Sequence, residues 1–133
     1  MEGIIGPKAV TLPIHKTKGG QIMAAGADVL NGFQCHFIYA YAYTTGITGM
    51  STKPHVHDYD EAIFFMGSDP QNFEDLGATV EFSIGANEEE KFTFDKATAV
   101  VVPKGVPHCP MRTLKIDKPY LCMAVSLTAR RED

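Results

Sequence analysis

The chain has 133 residues, 44 % of them hydrophobic, with a formal net charge of −4 and three cysteines. That is enough chain for one domain with its own core, and the composition argues against wholesale disorder and against a nucleic-acid surface, which needs clustered cations where this chain has only the Arg130–Arg131 pair. The odd cysteine count without a Cys-x-x-Cys spacing argues against a disulfide framework, and no leader-like segment or bilayer-length apolar run is visible, so a cytoplasmic location is expected.

Residues 1–30 read as an N-terminal arm and edge strands, 31–128 as the core of a single domain, and 129–133 as a charged tail that frays. Ile4 to Ile14 is apolar and carries Pro7 and Pro13. Two roles are open to it: capping its own fold, or pairing with a neighbouring subunit's sheet edge, from which a homodimer is expected. Gln21 to Leu30 is the one stretch with helical character, weakened by Gly26 and Asp28. Gln34 to Thr44 alternates like a strand. Cys35, Phe37, Tyr39, Tyr41 and Tyr43 share one face, and Gln34, His36, Ile38, Ala40 and Ala42 the other. If the tyrosine face lines a cavity, Tyr39 or Tyr41 is a candidate proton donor or substrate-positioning group. Otherwise the phenols reach solvent from a half-buried face.

Ala62 to Met66 is a short apolar strand ended by Gly67, and Ser68 to Gly77 reads as a polar loop. Thr79 to Ile84 alternates again, Gly85-Ala-Asn-Glu suits a hairpin turn, and Phe92 and Phe94 continue the apolar face on the return. Ala97 to Val102 reads as a buried strand closed by Pro103-Lys-Gly105, and Tyr120 to Leu127 as the last strand. Many short strands with turn punctuation predict an all-β sandwich or barrel.

Two segments carry chemistry. His55 and His57 point the same way in extended chain, Glu61 follows, and His108 comes after the Pro-Lys-Gly turn. Three imidazoles and a carboxylate suit a divalent transition metal: iron, manganese, nickel or zinc. Asp58 and Asp60 compete with Glu61 for the carboxylate role. Shared parity favours Glu61, but it would also turn Tyr59 inward unless a turn intervenes. Cys109 should face away from His108 as a core thiol, and Lys104 should be solvated. His15 and His36 have no motif context. Arg112, four residues after His108, is a candidate clamp for a substrate carboxylate unless Pro110 breaks the strand. The alternative for Arg112 is a surface ion pair.

Together the two segments resemble the paired motifs of the cupin superfamily, matched at Gly49, His55, His57 and Glu61 and again at Pro103, Gly105 and His108. Gly67 arrives one residue early, Ala97 stands where the second motif begins with Gly, and Arg112 where it ends with Asn. The resemblance implies a double-stranded β-helix, a jelly-roll barrel holding a metal on His55, His57, Glu61 and His108. It implies a small metal-dependent enzyme acting on a small organic acid or sugar-like metabolite, as a dioxygenase or as a redox-neutral decarboxylase, lyase or isomerase. The competing reading is a non-catalytic module that binds or senses a small ligand.

Overall fold

Alternating side chains build ten strands in the computed structural model, which describes residues 6–49 and 51–128. In chain order they are β1 (Ile14–Thr17), β2 (Gly20–Ala25), β3 (His36–Ala42), β4 (Gly46–Thr48) and β5 (Glu61–Gly67). Then come β6 (Asp75–Ile84), β7 (Glu90–Lys96), β8 (Thr98–Val102), β9 (His108–Ile116) and β10 (Tyr120–Ser126). They form two antiparallel sheets, ordered β1-β2-β3-β10-β5-β8 and β4-β9-β6-β7. No helix occurs among the described residues. The all-β jelly-roll expectation therefore holds.

The clearest driver is β6. Leu76, Ala78, Val80 and Phe82 are buried on one face. That alternation is what a sheet packed on one side requires. Phe65 of β5 meets Phe82 edge-on at 6.4 Å between ring centroids and Phe94 of β7 at 5.0 Å, so aromatic rings join the two sheets. Tyr120 of β10, fully buried, completes this end of the core.

Several expectations change on folding. Gln21 to Leu30 is not helical: its first five residues lie in β2, and hydrogen-bonded turns at Gly26 follow. Pairing of Ile22 to Ala25 with β3 overrides the weak helical preference. The polar loop ends early, because Asp75 and Leu76 already belong to β6, with Leu76 fully buried. Ala97–Val102 reads in sequence as a buried strand, but β8 is the edge strand of its sheet and Val101 is 69 % exposed. The Gly85 hairpin joins β6 to β7 as expected, setting Phe82 opposite Phe92.

Of the N-terminal arm, residues 1–5 lie outside the described residues. Leu12 and Ile14 are exposed, and β1 pairs on one side only, with β2. The charged tail 129–133 also lies outside the described residues. No helix among the described residues is long and apolar enough to cross a membrane, and all three cysteines are free thiols.

Candidate metal centre

The two motif segments lie side by side. His55 and His108 exchange backbone hydrogen bonds, His55 N to His108 O at 3.1 Å and His108 N to His55 O at 3.0 Å. The Gly105 N–H donates to the His57 carbonyl at 2.9 Å, and Gly105 has φ +83°, a left-handed conformation natural to glycine. Asp60 accepts a hydrogen bond from the Lys104 N–H at 2.8 Å. Asp60 is thus the tie between the segments, and Asp58 is exposed, which leaves Glu61 as the carboxylate at the cluster. A bend at Asp58–Tyr59 supplies the turn that parity demanded. Tyr59 stacks on His57, with centroids 4.7 Å apart and planes 7° from parallel, and so holds that ring in place.

One ring nitrogen from each of His55, His57 and His108 lies within 4.8 Å of the other two. Glu61 Oε1 is 3.2 Å from His108 Nε2 and 3.9 Å from His57 Nε2. His57 and His108 are buried. The tautomer of His108 follows from its other nitrogen. Nδ1 lies 2.9 Å from the Val106 carbonyl, which can only accept, so Nδ1 carries the proton. That leaves Nε2 turned toward the Glu61 carboxylate and the other two imidazoles, where a cation would find donors on several sides. Burial alone would raise the Glu61 pKa. The hydrogen bond and charge of His108, helped by the charges of His57 and His55, outweigh it and hold the carboxyl below its usual value. The donor set fits a divalent metal in type, in number and in convergence.

The cluster opens onto a cavity of about 380 Å³, inside the usual range for small-molecule sites. The face of β3 that turns inward is the aliphatic one, with Ile38, Ala40 and Ala42 on the wall. Small residues leave the space; Ala124 and Cys122 of β10 do the same beside them. The tyrosine face points the other way. Tyr39 is exposed and is not on this wall, whereas Tyr41, also exposed, borders the cavity together with Tyr43. A hydrogen bond with Tyr39 is the main cause that raises the Tyr41 phenol pKa.

Arg112 is not on the wall. Its guanidinium donates to Glu88 at 2.8 Å and lies 3.6 Å from Glu81. The physical reason is a phase change in β9. Cys109 has φ +80°, and the β6–β9 register shifts between Phe82 and Ile84. Beyond that point Met111 lines the cavity and Arg112 pairs with Glu81 on the opposite face. The same change turns Cys109, expected to face away, onto the cavity wall beside the cluster. Lys104 and His15 are exposed and His36 is buried in β3, and none of the three joins the histidine cluster.

The sequence reading missed Thr48. Its hydroxyl lies on the cavity wall, 2.7 Å from Thr113 Oγ1 and 3.2 Å from Tyr120 Oη, and those two are 2.7 Å apart. The three hydroxyls close a ring. No local motif marks it, because its members come from β4, β9 and β10.

No family model matches the chain, and no curated protein matches it by sequence. Among solved structures it is similar to hydroxypropylphosphonic acid epoxidase from S. wedmorenis, with TM-score 0.56 and 16 % identity over 86 % of this chain and 55 % of that one. It is similar to a mutant of Bacillus subtilis oxalate decarboxylase, with TM-score 0.60 and 11 % identity over 87 % of this chain and 28 % of that one. It is also similar to vicilin from Corylus avellana, with TM-score 0.55 and 13 % identity over 88 % and 31 %. The chain thus spans about half the length of the epoxidase and under a third of the other two. At such identities the likeness is one of fold. Two antiparallel sheets, the paired motifs zipped together at their ends and these neighbours agree: the chain has the cupin fold.

Proposed function

We propose that this chain is a small metal-dependent enzyme of cupin type, with His55, His57, Glu61 and His108 holding a divalent transition metal against a small-molecule cavity. The observation that carries this is the convergence of three imidazoles, one ring nitrogen of each within 4.8 Å of the other two, with the Glu61 carboxylate 3.2 Å from His108 Nε2. Iron and manganese lead among the four candidate metals. The fold neighbours include a form of oxalate decarboxylase described with Mn(II) centres and an Fe(II) form of HppE. Bound there, such an ion supplies a Lewis acid for a substrate oxygen and one-electron redox chemistry, which suits an oxygen-dependent cleavage or a redox-neutral decarboxylation, elimination or isomerisation.

The chain's own residues do the rest. Val106 fixes the His108 tautomer, Tyr59 holds the His57 ring, and the Asp60–Lys104 hydrogen bond fixes the spacing of the two segments. Tyr41, a phenol at the cavity border, is the candidate proton donor. Arg112 has no substrate role here, since its hydrogen bonds go to Glu88. A homodimer is part of the proposal, supported by the open edge of β1 and the exposed Leu12 and Ile14 beside it. Free thiols throughout support a cytoplasmic location.

Elemental analysis of the untagged protein tests the metal, with His57→Ala as control. Near-stoichiometric metal lost in the variant is expected. Equal metal content in both proteins, or none after reconstitution, refutes it. A non-catalytic binding module is favoured by one observation: Thr48 on the wall is tied to the buried Thr113 and Tyr120 hydroxyls behind it rather than free for proton transfer. A bound compound that returns unchanged from the metal-loaded protein selects that second reading.

A further inference from the structure

We infer that the cavity takes a small, largely apolar ligand presenting a single oxygen-bearing end to the His–Glu cluster, and neither a dicarboxylate nor a sugar. The inference rests on the metal reading above and narrows its substrate. Away from the cluster the walls are Ile22, Ile38, Ala40, Ile63, Met111 and Ala124, contributed by five strands. Among the described residues on the wall there is no lysine and no arginine, and Glu61 is the one carboxylate.

A second carboxylate at the far end of a ligand would therefore lose its hydration with no cation to replace it. The nearest expectation of such a cation, Arg112, is held by Glu88 on another face. A sugar fails for a related reason. Each buried hydroxyl needs a partner, or it bears its desolvation cost unrelieved. Thr48 already bonds Thr113 and Tyr120, and Thr17 donates to the Gly20 carbonyl at 2.6 Å. Gln21, Thr44, Tyr41 and Tyr43 on the wall are exposed, at the solvent side of the cavity, and Ser51 is half-buried. Polar recognition is thus concentrated at the cluster, and the remaining surface rewards methylene and methyl groups.

The test is calorimetric titration of the Mn(II)-loaded protein with two series of equal chain length, from acetohydroxamic to hexanohydroxamic acid and the matching primary amides. Glutarate and adipate, long enough to carry the second carboxylate to the far wall, are the dianionic controls. Each added methylene should tighten Kd about two- to fourfold in both series. The dianions should bind more weakly than the longest hydroxamate. The Ala40→Phe variant should lose the chain-length gradient and keep its metal content, since Ala40 is on the apolar wall, paired with Ile22 and Cys122, and is not one of the four ligand residues. A flat dependence on chain length in both series, or a dianion that binds tightest, overturns the inference. A gradient in the amides with no gain from the hydroxamate head supports the apolar walls and removes the metal reading instead.

Discussion

The hydroxyl ring of Thr48, Thr113 and Tyr120 makes a quantitative prediction. Thr113 and Tyr120 are almost wholly buried, so water cannot replace a lost partner. Three hydroxyls in a ring each donate once and accept once, giving three hydrogen bonds. Thr113→Val keeps the side-chain shape and removes two of them, leaving the longer Thr48–Tyr120 contact of 3.2 Å. At about 1 kcal/mol per bond the loss is about 2 kcal/mol. For a chain of this size that lowers Tm by roughly 6–8 °C. Tyr120→Phe also removes two bonds, leaving Thr48–Thr113 at 2.7 Å, and should cost about the same. The double variant removes all three, so it should lose about 3 kcal/mol, not the 4 that addition would give. Urea unfolding followed by circular dichroism measures each variant. Full additivity, or a Thr113→Val protein within about 0.5 kcal/mol of the parent, would refute the ring as a cooperative unit.

Three further outcomes are expected. Gly67→Ala should destabilise by about 1–3 kcal/mol, because a Cβ there would run into the Asp75 backbone carbonyl, which cannot swing aside like a side chain; unchanged urea unfolding would contradict this. Burial raises the Tyr120 pKa above its ordinary 10.0, with Thr113 and Thr48 opposing by hydrogen bonding. The unfolded chain then ionises first, so the stability contribution is complete below pH 10 and is lost as pH climbs through the folded value. Unfolding free energies from pH 8 upward should fall above pH 10 in the parent and fall less in Tyr120→Phe, and parallel profiles would rule the effect out. Arg112→Gln should leave metal content and ligand affinity unchanged, since its partners are Glu88 and Glu81; a loss of either would return Arg112 to the site.

The ligand candidates were legible because their spacing is local. Glu61 and His108 are far apart in sequence, yet each belongs to a short segment with its own turn residues, and Gly105 and Asp60 now explain how those turns meet. The all-β class was legible for the same reason, since β6 and its hairpin alternate cleanly. Orientation was not. Period-two alternation divides β3 into two faces without saying which is inside. The phenols drew attention, while the small residues Ala40 and Ala42 were the better signal, because only small side chains leave room for a ligand. Cys109 and Arg112 followed from an unbroken strand, and the bulge between Phe82 and Ile84 reversed both. Bulges depend on pairing partners that a single strand's sequence does not contain. The Thr48 ring was invisible for the same reason.

The strand order β3-β10-β5 has a consequence for how the protein is made. β10, last of the described strands in chain order, lies between two strands synthesised long before it. Until Tyr120–Ser126 has left the ribosome, β3 and β5 each present an unpaired edge, and the wall bearing Ala40 is not joined to the strand bearing Glu61. The nascent chain therefore carries open edges for most of its synthesis, the period in which strand-edge pairing with another chain is most probable. A chaperone that shields extended segments, or a pause in translation placed after residue 126, would act on this protein at the step where it is most exposed.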